Sequence, residues 1–395
     1  MTGFVATRTL RQATRGFKWM GFEPEGWGSV NELGRQALRG LLEGRMRAHR
    51  ELYLEEMASG GRVDRANGHY RRHLLTSMGD IELSVPRTRT ASALPAVAAY
   101  ARRQPDVDRL ILSCFVLGLS TRKVGEALLT ILGEQVSAST VSQVAKGLDQ
   151  AVAAFHRRPL PDHYPVLLLD GVVLSRRTGT GALRRPVLVA LGITTDGKKE
   201  VLDFTLAPAE SQTAWEGFLN DLYRRGLRGR SLEMIVTDGG KGLLAALPLV
   251  YPQVAVGRCW AHKTRNILDK IRTADRENAK RDLHRISHAK NRRAAQRAAG
   301  RFVQRWKSTY PRAVACLRTD LEELLTFFRF QDPDQRKAAR TTNAIERRFR
   351  EVRRRTRPMG AFSDRTSLER ILFAVFAYEN RKEGTGTPFL LTQNT

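Results

Sequence analysis

Residues 165–174 read Pro-Val-Leu-Leu-Leu-Asp-Gly-Val-Val-Leu, an apolar stretch broken only by Asp170 and the glycine that follows it. A short continuous apolar run of this kind predicts a buried strand. An unpaired carboxylate inside such a strand is costly, so Asp170 needs either a cation or hydrogen-bond donors. The alternative is that Asp-Gly makes a hairpin turn, with Asp170 as an ordinary turn residue.

The segments around this strand predict an α/β domain. Strand patterns at 165–174, 185–194 and 200–206 are followed by a helix at 213–225, a strand at 232–238, a helix from 240 and a short strand at 253–256. This order is that of a ribonuclease H-like core. Residues 262–335 carry only helical patterns rich in Arg and Ala, and a further helix begins near Asn343. The predicted fold is therefore a ribonuclease H-like core interrupted by an all-helical insertion.

Two more carboxylates fall where such a core could use them. Asp238 ends a predicted strand and precedes two glycines, which let backbone and ligand approach closely. In open α/β sheets, ligands bind at the carboxyl ends of strands. Glu346 lies in the first turn of the helix that begins near Asn343. The alternatives are that Asp238 caps the helix starting at Gly240 and that Glu346 completes a capping box with Asn343.

Asp170, Asp238 and Glu346 together are the candidate catalytic residues and metal ligands. Carboxylates that converge from different elements suit two Mg²⁺ ions, for which Mn²⁺ can substitute. Two such ions activate a water or a 3′-hydroxyl and stabilise the leaving oxygen of a phosphodiester.

A second motif, Cys259-Trp260-Ala261-His262, follows closely. We interpret His262 as a candidate catalytic residue beside Asp238 that contacts a DNA phosphate or orients an acid, and Cys259 as a small buried residue. A zinc site is the alternative, completed by Cys316, His284 and His288, although their spacing is not that of a zinc finger. Trp260 could stack on an unpaired base or belong to the core.

The charge balance indicates a polyanionic partner. Lys and Arg number 67 against 40 Asp and Glu, a net charge of +27. Nucleic acid is favoured over a ribosomal or membrane-surface role, because the Arg residues are spread through apolar-periodic segments. A solvated helix face would tolerate two or three of the Arg residues that follow Glu346, and a larger number repel one another unless phosphates neutralise them. The predicted DNA contacts of this helix are Arg347, Arg348, Arg350, Arg353, Arg354, Arg355 and Arg357.

The region before the core is predicted to be helical and to bind DNA. Within 106–156, two helices joined by a turn at Gly133 resemble a helix-turn-helix, whose second helix, capped by Ser137 or Ser139, would offer Thr140, Gln143 and Lys146 to a groove. Simple packing of a helical hairpin is the alternative. Farther upstream, we expect a helix capped by Ser29 and a hairpin within 69–87 that ends at Pro86.

These patterns divide the chain into segments. They are 1–28, which could be partly disordered; 29–104, a helix and β-hairpin; 105–160, the helix-turn-helix-like region; 161–261, the first part of the core; 262–340, the insertion; 341–382, the closing helices with Glu346; and 383–395, a tail. Without a signal sequence or an apolar membrane span, the protein is expected in the bacterial cytoplasm, on the nucleoid when bound to DNA. Three scattered cysteines predict no disulfide framework.

Many blocks in order resemble the IS256-family, or Mutator-type, bacterial insertion-sequence transposases. The similarity runs from about Asn67 to about Phe362. It includes NGHYRRHLLTSMGDIELSVPRTR, GLSTRKVGEAL, SASTVSQV, YPVLLLDG, ALGITTDGKKEVLDF, the block from Glu210 to Leu227, TDGGKGLLAAL, CWAHKTRNI and TTNAIERRFREVRRRTR.

The resemblance implies an enzyme whose catalytic acids match Asp170, Asp238 and Glu346, with Cys259 and His262 matching the family's CxxH signature. It also implies double-stranded DNA as partner, with terminal inverted repeats as substrate, a 3′-hydroxyl that attacks target DNA, and a homodimer that pairs two ends. Three other functions remain open: a non-catalytic DNA-binding regulator, a metal-dependent nuclease or junction resolvase without strand transfer, and an RNA-binding hydrolase.

Overall fold

The computed structural model describes residues 24–90, 103–117, 119–132, 136–178, 181–356 and 365–385. They divide into two compact units, the first ending at Ala145 and the second beginning at Lys146. In these ranges no helix combines the length and apolar character that a bilayer span needs. The predicted turn at Gly133, Arg357 and the segments 1–23 and 386–395 lie outside the described residues.

The first unit consists of a long helix, a hairpin and three shorter helices. They are α1 (Pro24–Ser59), β1 (Ala66–Thr76), β2 (Gly79–Thr88), α2 (Pro105–Val116), α3 (Thr121–Leu132) and α4 (Ala138–Lys146). Met46 of α1 is buried against the inward-facing side chains of the hairpin, among them Leu74 and Leu83. Alternation of buried residues from Gly79 to Val85 of β2 produces this single apolar face.

Two predicted boundaries of this unit are wrong. Helix α1 begins at Pro24, so Ser29 lies inside the helix and does not cap it. Strand β2 continues to Thr88 through Pro86, which faces His69 of β1. Because β2 has a partner on one side only, the missing N–H of proline breaks no second ladder. The predicted cap of α4 is present, since the Ser137 hydroxyl accepts a hydrogen bond from the Thr140 N–H (3.1 Å).

The second unit is a mixed α/β structure. Its elements in chain order are α5 (Leu148–Arg157), β3 (Val166–Thr178), β4 (Gly181–Ile193), β5 (Lys199–Leu206), α6 (Gln212–Arg224), β6 (Met234–Thr237), α7 (Lys241–Val250), β7 (Ala255–Arg258), α8 (Trp260–Leu268), α9 (Thr273–Ser287), α10 (Arg292–Trp306), α11 (Pro311–Thr319), α12 (Leu321–Leu324), a 3₁₀ turn (Thr326–Arg329), α13 (Pro333–Ala339), α14 (Asn343–Thr356) and α15 (Arg365–Lys382). The predicted α/β class is confirmed. Helix α5, which the sequence grouped with the N-terminal region, belongs to this unit and holds α15 through the Asp149–Arg370 ion pair (2.6 Å).

Five strands form one sheet in the order β5-β4-β3-β6-β7. The first three are antiparallel, whereas β6 and β7 run parallel to β3. Helices α6 and α7 pack together over a core that includes Trp215, Leu243 and Leu167. Helices α14 and α15 contact β3 and β5. Every strand pattern that the sequence predicted in this unit is present, with boundaries shifted by up to four residues.

The helices α8 to α13 form the insertion between β7 and α14, and the described part of this insertion contains no strand. Ion pairs attach it to the sheet, since Arg258, at the end of β7, donates to Glu323 of α12 (2.7 Å) and also pairs with Asp320 (3.4 Å). Within the insertion, Lys263 of α8 pairs with the same Asp320. The insertion is therefore fixed at its base.

A glycine substitution tests the junction between α6 and β3. Gly226 has φ +124°, and a Cβ there would lie 2.3 Å from the carbonyl oxygen of Leu160. Gly226→Ala should therefore lower the free energy of unfolding by about 1 to 3 kcal/mol. Gly217→Ala is the control, since no atom lies within 4 Å of the new Cβ. It should raise the free energy of unfolding by about 0.5 to 1 kcal/mol. Urea denaturation followed by tryptophan fluorescence measures both, and equal effects would contradict this account.

Candidate functional site

Asp170 and Asp238 are neighbours because of the register between two parallel strands. Leu169 of β3 pairs with Thr237 of β6, so the next residue of each strand lies at the same level. Adjacent strands are about 4.8 Å apart, which places the two carboxylates side by side. The rest of β3, two further strands, a helix and β6 separate the two acids along the chain, and the pairing of β3 with β6 brings them together.

Asp170 is buried, with 3% of its surface exposed. It lies within β3 and pairs with Val189 of β4, so the Asp-Gly hairpin alternative is excluded. Its Oδ2 atom is buried without a hydrogen-bond partner. Burial, together with the Asp238 and Glu346 carboxylates, raises the pKa of Asp170 to about 7, against the opposite effect of His262 and Thr342. The site therefore disfavours the negative charge of Asp170, which His262 and Thr342 stabilise only in part.

Asp238 lies just beyond β6, at the start of a glycine pair. Its Oδ1 accepts a hydrogen bond from the Gly240 N–H (2.9 Å). Helix α7 begins at Lys241 with Gly240 in the capping position, so Asp238 is not the N-cap residue. Gly239 has φ +96° and stands against the Arg258 guanidinium, where a Cβ would have no room. Glycine is required here for both reasons.

Glu346 reaches the same place from the first turn of α14. Its Oε1 lies 3.4 Å from Nε2 of His262 and 3.7 Å from a guanidinium nitrogen of Arg265, both on α8. The carboxylate is therefore turned towards α8. The capping-box alternative with Asn343 is not what the structure has, because Asn343 is itself the first helical residue of α14.

The CxxH motif connects these elements. The Cys259 sulfur accepts hydrogen bonds from the N–H (3.3 Å) and the hydroxyl (3.4 Å) of Thr342, immediately before α14. Hydrogen bonding to that sulfur, together with the nearby Asp170 and Asp238 carboxylates, raises the pKa of His262 to about 9, although burial opposes the shift. Burial would raise the pKa of Cys259, but its hydrogen bonds with His262 and Thr342 lower it overall. Cys259 thus anchors the helix that carries Glu346.

The structure brings together all four residues predicted to be catalytic: Asp170, Asp238, Glu346 and His262. Their order around the site follows from the contacts, with Asp170 close to the other three. Across the described ranges, no group of three or more His, Cys, Asp or Glu side chains is arranged to hold a metal ion as it stands. The carboxylates are therefore neighbours without being closed around a common point, and the zinc alternative finds no support.

Three residues of the site were not singled out from the sequence. Thr342 is fully buried between Cys259 and His262, and Arg265 faces Glu346. Glu210, between β5 and α6, lies beside Asp238, since both carboxylates approach Gly240. Thr342 and Arg265 fall within two of the family-like sequence blocks. The fold is needed to show that, within these blocks, these two side chains point into the site.

Trp260 belongs to the core. It is 3% exposed, and its indole N–H donates to the Leu324 carbonyl (2.8 Å). In this arrangement the Trp260 ring is therefore inaccessible to a DNA base. Cys259, likewise buried, fits the small buried residue that the sequence predicted.

The Arg residues of α14 separate into two faces. Ile345, Phe349 and Val352 are buried, and Arg348 and Arg355 share their stripe. Arg348 donates to the carbonyls of Ala344 (3.1 Å) and Lys199 (3.4 Å), and Arg355 donates to Glu351 (3.3 Å). The helical period turns these two, which the sequence predicted to contact DNA, into the interior. The members of the run that are exposed are Arg347, Arg350, Arg353 and Arg354.

In α4, the three residues predicted to face a groove have different exposures. Gln143 and Lys146 are exposed, whereas Thr140 is half-buried and its hydroxyl accepts a hydrogen bond from Ser137 (3.0 Å). Buried Val141 and Ala145 form the opposite face of this helix.

The buried acid makes a testable prediction about stability. Asp170 has a folded-state pKa of about 7 against 3.8 for the unfolded chain. The folded state therefore holds a proton that the unfolded state has lost, and stability falls as the pH rises from about 4 to 7. Asp170→Asn should remove this loss and stabilise the protein at pH 8 by about 1 to 4 kcal/mol, since one pKa unit is worth about 1.4 kcal/mol.

Thermal unfolding of both proteins in EDTA at pH 5 and pH 8 measures the effect. Asp196→Asn is the control, because hydrogen bonds from Thr194 and Lys198 lower the pKa of this exposed aspartate to about 2. Its effect should be the same at both pH values. A destabilised Asp170→Asn at pH 8 would contradict the proposed environment of Asp170.

Comparisons of the sequence with known proteins all point to transposases. The family model "Transposase, Mutator family" matches residues 24–383. The chain is 34% identical to the transposase for insertion sequence element IS905 of Lactococcus lactis, over 80% of each chain. It is 33% identical to the transposase for ISRM5 of Rhizobium meliloti, over 82% of this chain and 81% of that one. It is 31% identical to the transposase for IS256 in transposon Tn4001 of Staphylococcus aureus, over 80% of each.

Among solved structures, a chain of the simian T-cell lymphotropic virus intasome in complex with the PP2A regulatory subunit B56 gamma matches with a TM-score of 0.17 and 11% identity. That match covers 54% of this chain and 65% of that one, and a score so low says nothing about the fold. The sequence relatives confirm the resemblance seen in the motifs. The chain belongs to the Mutator family of transposases.

Proposed function

We propose that this protein is a DDE transposase, which cleaves the ends of an insertion sequence and joins them to target DNA with Asp170, Asp238 and Glu346 as its catalytic acids. The observation that carries the proposal is the buried Asp170 carboxylate. It lies beside Asp238 with one oxygen unpartnered, and burial raises its pKa to about 7. A buried carboxylate with a strongly raised pKa, surrounded by further carboxylates, is typical of an active site.

The proposed fold of the catalytic unit is a ribonuclease H-like core. Three antiparallel strands are followed by a helix, and the next two strands join parallel to the first, in the order β5-β4-β3-β6-β7. The acids then fall on the first strand, just after the fourth and on a helix beyond the insertion. This arrangement supports the interpretation, and it accounts for why acids far apart in the chain meet.

The proposed cofactor is Mg²⁺, as two ions, with Mn²⁺ able to substitute. The donor chemistry fits, because carboxylate oxygens are the protein ligands that Mg²⁺ prefers and Asp170 Oδ2 has no other partner. When bound, such ions would activate a water or a 3′-hydroxyl and stabilise the leaving oxygen. Because the acids are not closed around one point, Glu346, whose side chain is 36% exposed, is the one with room to turn inward.

The chain's other residues would orient the acids. His262, with a pKa of about 9, carries a proton at neutral pH and lies against Glu346. Arg265 adds a second positive charge on the same carboxylate. The Cys259–Thr342 hydrogen bonds hold the start of α14, so Glu346 keeps its position relative to β3. His262 is thereby also placed to contact a phosphate at the site.

The proposed DNA surface lies on the same helix as Glu346. Residues four and seven or eight positions on share a helix face, so Arg350, Arg353 and Arg354 extend from Glu346 along one side of α14. All three are exposed, and Arg354 pairs with Glu351 (3.0 Å). DNA phosphates bound there would follow a line that ends at the acid. The proposed partner is double-stranded DNA, at the element ends and the target, engaged by a homodimer.

Substitution of the acids tests the catalytic assignment. Asp238→Asn and Glu346→Gln should each abolish Mg²⁺-dependent cleavage and strand transfer, as should Asp170→Asn, while the affinity for end DNA changes little. Glu233→Gln, an exposed acid just before β6, is the matched control and should keep full activity. The assay uses labelled duplexes that carry the inverted repeats flanking the gene, with gel detection of cleaved and joined products.

The same assay separates the rival functions. Cleavage without joining would indicate a nuclease or resolvase, and hydrolysis of an RNA–DNA hybrid would indicate an RNA-directed enzyme. If end binding were the whole activity, a regulator would remain. Substantial joining by any of the three acid variants would refute the catalytic assignment.

The DNA surface makes a separate prediction. Arg350→Ala and Arg353→Ala should each weaken DNA binding across sequences and reduce the slope of log K against log salt by about 1, since each phosphate contact releases about one counterion. Arg228→Ala is the control, an exposed Arg in the turn after α6, near the amino ends of β3 and β6. Fluorescence anisotropy at several salt concentrations gives the slopes. Identical slopes for all three variants would remove α14 from the DNA interface.

A further inference from the structure

Glu210 occupies a space that the glycine after Asp170 leaves open. A Cβ on Gly171 would lie 2.6 Å from the Glu210 Cδ and 2.6 Å from its Oε1. Such distances are shorter than any normal contact, so this carboxylate rests directly on the β3 backbone. Because successive residues of a strand face opposite sides of the sheet, Glu210 approaches β3 from the side opposite to the Asp170 side chain.

The same carboxylate faces Asp238. A Cβ on Gly240 would lie 3.2 Å from Oε1 of Glu210 and 3.5 Å from Oδ1 of Asp238, so both oxygens border one small volume. Gly240 has no side chain to fill it. Two carboxylates that share such a space repel each other unless a cation or a proton lies between them.

In the described structure the Glu210 carboxylate is only weakly stabilised by its surroundings. Its Oε1 atom is buried without a hydrogen-bond partner. The capping of α6 is done by Ser211, whose hydroxyl accepts a hydrogen bond from the Ala214 N–H (3.2 Å). Burial and the Asp238 carboxylate raise the pKa of Glu210 overall, although the Trp215 indole N–H, which is not within hydrogen-bond distance, lowers that pKa. An acid that neither caps a helix nor forms an ion pair at such a place calls for another role.

Backbone packing fixes the acid in position. A Cβ on Gly242, in the first turn of α7, would lie 2.8 Å from the Glu210 carbonyl oxygen and 2.7 Å from the Ser211 carbonyl carbon. The start of α7 therefore touches the main chain at residues 210–211. Since Asp238 leads into α7 and Glu210 leads into α6, the two carboxylates are held at a set separation by main-chain contact.

We infer that Glu210 is a fourth carboxylate of the catalytic centre and that it binds, together with Asp238, one of the divalent cations. The inference rests on the proposed function. Asp238 is then the shared ligand, with Asp170 and Glu346 on one side of it and Glu210 on the other. Four carboxylates match the charge of two Mg²⁺ ions, and hard oxygen ligands from rigid elements are what Mg²⁺ requires.

Binding of Mn²⁺ to the full chain without DNA tests this inference. The free Mn²⁺ signal in electron paramagnetic resonance gives the affinity of each variant. Glu210→Gln should weaken Mn²⁺ binding by about 10-fold or more, the range found when ligand shells are altered. Glu210→Asp keeps the charge but withdraws the carboxylate by one methylene, and its loss should be smaller. Glu216→Gln, on the same helix α6, is the matched control and should bind as the unmodified protein does.

The outcomes separate the inference from the proposed function. If Asp238→Asn loses Mn²⁺ binding while Glu210→Gln keeps the full affinity, Glu210 is not a ligand and the catalytic assignment stands. If the unmodified protein binds no Mn²⁺ and Asp238→Asn changes nothing, both fail. Thermal unfolding in EDTA shows whether each variant is folded, and Glu210→Asp decides the question if Glu210→Gln is not.

Discussion

The parallel pairing of β3 with β6 is the constraint on which the candidate site depends. Leu169 lies beside Thr237, and both strands leave the sheet core in the same direction, so the residues that follow emerge together. Residues 166–170 of β3 and all of β6 are buried, which fixes the register, because a shift of one residue would turn apolar side chains to the wrong face. The acids are thus aligned by the hydrophobic core and not by any attraction between them.

Such alignment concentrates like charge where water is scarce. The chain offsets this with a small number of positive groups on α8, His262 and Arg265, and with hydrogen-bond donors around Asp238. The remaining stability comes from the apolar layer beneath α6 and α7, centred on Trp215. Apolar packing beneath the two helices therefore holds the acids together despite the repulsion between their charges.

The sequence predicted most of this architecture for physical reasons. Apolar runs flanked by turn residues identified the strands, and Asp170 was conspicuous because a charge in such a run is costly. The sequence could not show which side chains point into the protein and which point outward. In the sequence, Arg348 and Arg355 cannot be told apart from the neighbouring Arg residues, yet their positions on the helix bury them. Glu210 precedes an ordinary helix cap, and its proximity to Asp238 exists only through the close approach of α7 permitted by Gly240 and Gly242. The sequence predicts that the first helix begins at Ser29, because the residues upstream have little apolar periodicity. The helix nevertheless extends back to Pro24.

The two ends of the helical insertion meet. Trp260 donates its backbone N–H to the Arg340 carbonyl (3.1 Å), and Thr342 bonds to Cys259, 83 positions earlier. A closed loop of this kind tolerates changes in length well, because each doubling adds only about 0.6 kcal/mol of closure entropy. Relatives could therefore gain, lose or exchange whole helices between these two points while the spacing of the acids stays the same. The helical insertion can therefore change during evolution, for example to fit a different DNA geometry, without moving the acids.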